Sequence, residues 1–581
     1  MAEFDPSERP LIERARAWAA QDPDPETRRE TERLIAAVEA GDDEATLELD
    51  DAFGGRLAFG TAGLRGALGP GPRRMNRAVV IQTTAGFAEF LLERAGRGET
   101  SSPPSIVIGY DGRVNSDVFA RDVAEVMAGA GISVTLFPEP VPTPATAFAV
   151  RNLDASAGVM VTASHNPPRD NGYKVYLGDA DQGSQIIPPD DAAIARHIDA
   201  AAARSLDSFP LAEDYRVAGP ELLDAYVEST AQAVSAGSPL EGRADASLRI
   251  AYTAMHGVGS APARRVWNLV GLPDVTVVPE QDHPDGAFST VAFPNPEEPG
   301  ALDLAFRTAR DVAADLIVAH DPDADRLAIA LPDPAAPEGY RRLTGNQLGF
   351  LLGWRAAERH RALHGDAPGA LACTIVSSPA LSVVADDYGL EYAETLSGFK
   401  WVSRVPHLVF GFEEALGYLT HPDVVHDKDG ISASADVIAL AAELATEGRT
   451  LADLLDEATE RFGHFSSGQL TVRLDSADAV AALAEVVRSS PPTEFGGVAI
   501  ERTSDLLTPG LAAQPANVLR YDLADGSRVM IRPSGTEPKL KVYIDTFSDT
   551  GSARERRKAA DAALAGLEIA VQAFLDESVA S

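Results

Sequence analysis

Apolar residues fall in short, almost unbroken runs along this chain, separated by stretches with a helical period or by clusters of Gly, Pro, Asp and Asn. Short runs bounded by turn residues predict buried strands, and the 3.6-residue period predicts amphipathic helices. One order recurs three times: strand, helix, strand, then one more strand. In the first block, 106–109, 117–130 and 132–137 are followed by a strand at 158–161. In the second, 248–252, 261–270 and 275–279 are followed by 315–320. In the third, 370–376, 379–388 and 390–394 are followed by 407–412. Such units predict mostly parallel sheets with helices on both faces. Each block also places a polar motif just beyond its last strand, where open α/β sheets bind ligands.

The ends of the chain differ from this pattern. Residues 10–45 read as two polar helices with solvated acidic faces, a surface cap to which no chemistry is assigned. Near the C-terminus, a strand at 469–475 and a helix at 477–488 precede a hairpin turning at 524–527, a strand at 540–544 and a closing helix at 552–577. The fold class expected is α/β, with three similar mixed α/β sheet domains and a smaller C-terminal α+β domain around a central cleft. The expected boundaries are a helical cap over 1–50, then domains at 51–220, 221–344, 345–466 and 467–581.

Composition narrows the function. The 581 residues are 45% hydrophobic, which is ordinary for globular domains. Cys373 is the sole cysteine, so there is no disulfide framework. The N-terminal stretch is acidic and has no signal-peptide core, and no apolar run reaches the ~18 residues of a membrane span. A cytoplasmic, soluble protein is expected. The net charge of −37 argues against nucleic acid or an anionic membrane as partner. An anionic substrate would therefore need a locally positive site. Only six of the fifty basic residues are lysine, and Lys174, Lys400, Lys428, Lys539 and Lys541 fall in stretches read as loop-rich. A lysine ammonium binds phosphate as a point charge and can move protons, which guanidinium does not readily do.

Five motifs carry the candidate chemistry. The strand at 158–161 runs into Thr162-Ala163-Ser164-His165-Asn166-Pro167, which presents Ser164 as a phosphoryl carrier; the alternative is a plain polar loop. Asp321, Asp323 and Asp325 alternate, so in an extended loop their carboxylates project to one side. Three carboxylates without His or Cys suit a hard cation, most simply Mg²⁺, as against a solvated acidic turn. Arg532, Ser534, Gly535 and Thr536, with Lys539, concentrate donors and charge as an anion cradle. Phe59 to Gly66 surrounds Arg65 with glycines, a loop able to approach a phosphate closely. Lys174, Lys400 and Lys428 are further cationic candidates. Arg113 is placed either as a support for the Ser164 loop or in a structural salt bridge, and His256 and His320 are read as structural. A phosphatase needs the serine and the carboxylates; a phosphoryl-transfer enzyme with a substrate phosphate at each end also needs the remote cradle. A non-catalytic sugar-phosphate sensor is the third reading.

With these residues in place, the sequence resembles the α-D-phosphohexomutases. Phe59–Gly66, the TASHNP segment at 162–167, DPDADR at 321–326, FEEALGY at 412–418 and RPSGTEPK at 532–539 occur in that family's order over about 55–550. The resemblance implies a phosphorylated Ser164 sharing one Mg²⁺ with Asp321, Asp323 and Asp325, with His165 beside it. It implies phosphate-side and acid/base roles for Arg65 and Lys174, and support of the metal loop by Arg326. Ser397, Gly398 and Glu413 would read sugar hydroxyls, Lys428 would bind substrate, and Arg532, Ser534, Gly535 and Thr536 would hold the non-reacting phosphate. The implied reaction interconverts sugar 1-phosphate and sugar 6-phosphate, glucose first, through a bound bisphosphate such as glucose 1,6-bisphosphate. Mannose or pentose phosphates are the alternatives. A monomer or weak homodimer is expected. Ala415 stands where many members carry serine, which resembles the branch containing phosphopentomutases and some bacterial phosphoglucomutases.

Overall fold

The computed structural model describes residues 9–236, 248–512, 514–533 and 539–580. It comprises two compact units, Met1–Arg342 with Gly417–Ala442, and Leu343–Leu416 with Glu443–Ser581.

In the first unit, one sheet runs in the order Leu64–Ala67, Asp170–Leu177, Ala157–Val161, Ser105–Tyr110, Ser133–Leu136, Arg216–Val217. The strands from Ala157–Val161 onward are parallel, whereas Asp170–Leu177 runs antiparallel to Ala157–Val161 and to Leu64–Ala67. The sheet is thus more mixed than the repeated block predicts. Helix Arg77–Gly96 packs on it; fourteen of its twenty residues are buried. That burial leaves a polar face only in the last two turns, at Glu89 and Glu93, and so little helical period to read. Asn76 caps it by accepting from the Val79 amide at 3.0 Å.

The N-terminal cap is three helices rather than two: Arg9–Gln21, Pro25–Glu39 and Asp43–Phe53. It is also more than a surface layer. Leu11, Ile12, Trp18, Leu34, Leu49 and Phe53 join the same apolar core as the first sheet.

The second sheet has the order Tyr340–Arg342, Leu327–Pro332, Leu316–His320, Ile250–Thr253, Val275–Val277. Its last three strands are parallel and the first two form an antiparallel extension.

In the second unit, Glu391–Thr395, Ala370–Thr374 and Leu408–Glu413 pair in parallel. Helix Gly345–His364 lies on them, opened by a reciprocal capping box between Thr344 and Gln347. The C-terminal sheet is antiparallel throughout, in the order His464–Arg473, Lys539–Ser548, Arg528–Pro533, Leu519–Leu523, Val498–Asp505, Glu494–Phe495. Leu483, Val487, Leu567 and Val571 from its two helices close its core. Buried Arg528 ties this sheet to its neighbour, donating to Asp545 at 2.7 Å, to Glu394 at 2.6 Å and to the Ser377 carbonyl. No described helix is long and apolar enough to cross a membrane.

Most lysines predicted in loops lie elsewhere. Lys174 sits in strand Asp170–Leu177, Lys539 in Lys539–Ser548, and Lys400 in the short helix Phe399–Val402, while Lys541 lies in the strand expected at 540–544. Lys428 is outside any helix or strand.

Candidate active site

Ser164 follows the strand Ala157–Val161 and is itself in the left-handed region, with φ +52°. A non-glycine residue there is strained by about 1–3 kcal/mol, so its surroundings must hold it. They do so through hydrogen bonds. The Ser164 amide donates to Thr162 Oγ1 at 2.8 Å, and that hydroxyl donates to Asp111 at 2.6 Å. The guanidinium of Arg113 donates to four carbonyls of the following loop: Ser164 at 2.6 Å, Asn166 at 2.7 Å, Pro167 at 2.9 Å and Asp170 at 3.0 Å. Arg113 therefore supports the loop and also lies 3.5 Å from Asp111, so both sequence readings hold together.

The hydroxyl of Ser164 donates to Asp321 Oδ2 at 2.9 Å and lies 3.2 Å from His165 Nδ1. Burial first, then the charges of Arg326 and Arg65, push the His165 pKa well down, so its ring is neutral.

The three aspartates converge, but not as an extended segment. Residues 321–325 form a turn in which Ala324 has φ +54°. The turn brings one carboxylate oxygen of each of Asp321, Asp323 and Asp325 within 4.8 Å of the others, all buried. The Ala324 amide donates to the Asp321 carbonyl at 2.9 Å, and the Arg326 amide donates to Asp321 Oδ1 at 3.0 Å. Arg326 thus supports this loop through its backbone.

Lys174 enters from the antiparallel strand and donates to Asp323 Oδ2 at 2.6 Å and to Asp325 Oδ2 at 2.8 Å. Burial disfavours its charge, yet Asp323 and Asp325 outweigh burial and raise its pKa. Burial, then the charges of Asp323 and Asp325, push Asp321 well up. Burial also works against charge on Asp323, but Lys174 and Thr143 hold its pKa down.

The site fits a hard divalent cation on an observation of its own. Asp323 Oδ1 and Asp325 Oδ1 are buried with no hydrogen-bond partner among the described residues. Two carboxylate oxygens stripped of water in this way are costly unless a cation takes them.

Other predicted residues reach the same unit. Lys428 Nζ is 3.5 Å from Asp325 Oδ2 and 3.8 Å from Asp427 Oδ1. Arg65 reaches Asn166 Oδ1 at 3.5 Å. Its strand is paired with the one carrying Lys174, opposite Gly172. The preceding Gly63 has φ +78°, and a Cβ there would stand 1.9 Å from the Tyr173 carbonyl, so only glycine allows this approach.

The remaining candidates lie in the second unit. Ser397 Oγ is buried without a partner among the described residues, Gly398 has φ +109°, and Glu413 ends the strand Leu408–Glu413. Arg532 is near the end of strand Arg528–Pro533. Ser534, Gly535 and Thr536 lie outside the described residues.

The sequence reading missed Thr143, whose hydroxyl donates to Asp323 Oδ2 at 2.6 Å and whose amide donates to the Asp323 carbonyl at 3.0 Å. The run Val141-Pro142-Thr143-Pro144, a helix start with Pro at its second position, was the available signal. It also missed Tyr176 and Gln185, which donate to Asp427 Oδ2 at 3.0 and 2.8 Å and so fix the carboxylate beside Lys428.

Sequence profiles for the four domains of phosphoglucomutase/phosphomannomutase match this chain in order. The three alpha/beta/alpha domains match at 56–205, 224–334 and 344–462, and the C-terminal domain at 470–562. The chain belongs to this family. It is therefore a mutase, an isomerase acting by phosphoryl transfer, on a fold of three α/β/α domains and a C-terminal domain. A Haemophilus influenzae protein named “Probable phosphomannomutase” is 47% identical over 471 residues, covering 81% of this chain and 93% of its own. The phosphoribomutase of Saccharomyces cerevisiae is 35% identical over 598 residues, covering 92% of each. The crystal structure of a phosphoglucomutase/phosphomannomutase family protein from Burkholderia thailandensis superposes with a TM-score of 0.65 at 19% identity, over 90% of this chain and 97% of its own.

Proposed function

We propose that this mutase moves a phosphoryl group between the 1- and 6-positions of glucose phosphate through a phosphorylated Ser164 and a bound bisphosphate. The observation that carries the reading is the hydrogen bond of 2.9 Å from the Ser164 hydroxyl to the buried Asp321, within the three-carboxylate cluster. Mannose and ribose phosphates form the second reading, favoured by the names of the two relatives above.

The proposed roles follow from position. Asp321, Asp323 and Asp325, with an oxygen on Ser164, would hold Mg²⁺, which when bound neutralises charge on the phosphoryl oxygens. Phosphoryl transfer has a loose transition state, so positioning and charge carry most of the catalysis. Arg65, Lys174 and Lys428 supply positive charge on the Ser164 side. Arg113 holds the Ser164 backbone so that its hydroxyl keeps one direction. When free Ser164 accepts a phosphoryl group, its Oγ bonds to phosphorus as the bond to the sugar oxygen breaks. The hydroxyl proton leaves along the existing contacts to Asp321 or neutral His165. Ser397, Gly398 and Glu413 are assigned to the sugar hydroxyls, and Arg532, Ser534, Gly535 and Thr536 to the phosphate that stays in place.

Two measurements test this. Ser164→Ala removes the carrier and should abolish isomerisation while substrate binding persists. Intact mass of active enzyme should show one phosphate, mapped to Ser164. Turnover retained by the alanine variant would overturn the covalent route. Initial rates on glucose, mannose and ribose 1-phosphates, each with its bisphosphate, then rank the sugars; a preference for mannose or ribose moves the assignment to the second reading.

A further inference from the structure

In the second compact unit, the segments assigned above to the sugar and to the resting phosphate share one neighbour. Strand Ala370–Thr374 ends in a tight turn, closed by the Ser377 amide donating to the Thr374 carbonyl at 2.9 Å. The side chains of Thr374 and Ser377 are both buried.

This turn grips the segment that carries Glu413. The Glu414 amide donates to Ser377 Oγ at 3.0 Å. The Ser377 hydroxyl donates in turn to Glu414 Oε2 at 2.9 Å. Thr374 Oγ1 stands 3.1 Å from the same carboxylate oxygen and 2.7 Å from Ser377 Oγ. Burial, then the charge of Glu413, pushes the Glu414 pKa up, and the two hydroxyls oppose that shift. The start of helix Gly345–His364 packs directly on the same backbone, since a Cβ on Gly345 would stand 1.9 Å from the Glu414 carbonyl. The peptide between Glu413 and Glu414 is therefore held in one orientation, and with it the direction in which Glu413 leaves the chain.

The same turn reaches the other two segments. The Ile375 amide donates to the Thr395 carbonyl at 2.7 Å, two residues before Ser397. Buried Arg528 donates to the Ser377 carbonyl. Arg528 and Arg532 lie four residues apart on strand Arg528–Pro533, whose register with Lys539–Ser548 is unbroken over both. Residues four apart on a strand project from the same face.

We infer that Ser377 is a positioning residue for sugar recognition: it sets the direction of Glu413 and ties it to the strand that carries Arg532. Sugar hydroxyls and the phosphate that stays in place are then read at a fixed spacing. Ser377 acts through Glu413, so the inference rests on the assignment of Glu413 to the sugar hydroxyls. Supporting hydrogen bonds of this kind hold a binding group within the narrow range of positions that recognition needs. Glucose and mannose phosphates differ in the direction of one hydroxyl, and ribose phosphate is a carbon shorter. A displaced Glu413 therefore changes the ranking of the sugars rather than only the rate.

The test measures kcat and KM on glucose, mannose and ribose 1-phosphates, each with its bisphosphate, using full-length protein shown folded by thermal unfolding. The variants are Ser377→Ala, Thr374→Val, Thr374→Ser, Glu413→Gln and the double variant of Ser377→Ala with Glu413→Gln. Ser377→Ala and Thr374→Val should each change the kcat/KM ratio between sugars by roughly two- to twelve-fold, the range for loss of one neutral hydrogen bond, mainly through KM. Thr374→Ser keeps the hydroxyl and should keep the wild-type ratio. In the Glu413→Gln background, Ser377→Ala should change the ratio no further, because its effect passes through Glu413. A merely structural role would lower all three sugars alike in both backgrounds, and that result overturns the inference. Wild-type ratios in Ser377→Ala and Thr374→Val, with an altered ratio in Glu413→Gln, overturn it too and leave the sugar role of Glu413 standing. An unchanged ratio in Glu413→Gln removes that role and the inference together. If Ser377→Ala does not fold, Thr374→Val, which keeps the side chain's size, carries the same comparison alone and with Glu413→Gln.

Discussion

The ammonium of Lys174 lies 2.6 Å from Oδ2 of Asp323 and 2.8 Å from Asp325, on the carboxylates assigned to Mg²⁺. Lysine and metal therefore draw on the same two carboxylates, the lysine on Oδ2 and the metal on the unpartnered Oδ1, so their positive charges compete, and the lysine offsets part of the repulsion among three buried carboxylates when the cation is absent. Lys174→Met should lower the melting temperature in EDTA. It should also enlarge the rise on adding Mg²⁺, since binding to the folded state stabilises it by mass action and more strongly when a competitor is gone. Differential scanning fluorimetry with and without Mg²⁺ checks this. Equal Mg²⁺ shifts in wild type and variant would mean that the two cations do not compete.

Arg113 reaches four carbonyls of the Ser164 loop and stands over the ring of Phe288, 4.8 Å from its centroid. Arg113→Ala would leave those acceptors and buried Asp111 without their cation, a loss of roughly 3–5 kcal/mol in such settings. Arg113→Lys should recover some stability but little kcat, because an ammonium cannot reproduce the fork that fixes four carbonyls at once. Wild-type kcat in the lysine variant would show that charge alone positions Ser164.

Asp429 is buried beside Lys428 and accepts from Tyr226 at 3.0 Å and from the amides of Ile431 and Ser432 at 2.9 and 3.1 Å. Burial outweighs these hydrogen bonds and raises its pKa to about 6. The folded protein then holds this proton where the unfolded chain, near 3.8, has released it. The contribution is complete below about pH 4 and is lost as pH rises toward 6, a difference of ~3 kcal/mol for about two pH units. Asp429→Asn keeps an oxygen for the three donors and removes the charge. Its melting temperature relative to wild type should be higher at pH 7.5 than at pH 4.5. A difference that does not change with pH would assign Asp429 an ordinary, fully ionised state.

The strands of the repeated blocks were legible because buried strands in a layered α/β fold are near-continuous apolar runs. Ser164 and the aspartates were legible as candidates because polar residues stand at the ends of those runs, and Lys428 because lysine is rare in so arginine-rich a chain. Helix Arg77–Gly96 was not, since burial of most of its residues leaves little period to read. The geometry of the aspartate turn was not legible either. Ala324 at φ +54° and Ser164 at φ +52° are backbone states that neither residue type announces. They are imposed by tertiary hydrogen bonds such as that from the Gly430 amide to the Ala324 carbonyl, 3.1 Å, which joins segments more than a hundred residues apart. Strand Asp170–Leu177 opens with Asp-Asn-Gly, a turn signal, and so concealed the strand on which Lys174 reaches the carboxylates.

Arg532 belongs to the second compact unit and Ser164 to the first, and from Arg532 follows a prediction for the phosphate that is not transferred. If Arg532 holds the phosphate that is not transferred, it contributes binding rather than bond breaking. Arg532→Ala should raise KM by ~10–150-fold, the range for a charge-assisted hydrogen bond of roughly 1.5–3 kcal/mol. Some kcat should be lost as well, because binding energy remote from the reacting centre orients that centre. A bisphosphate that must turn end for end has to be retained while it turns, so the variant should also release it more often. The measurement is labelled glucose 1,6-bisphosphate appearing in solution per turnover, wild type alongside. A simple phosphatase has no bisphosphate to lose. Equal release by both proteins together with an unchanged KM would take the non-reacting phosphate away from Arg532.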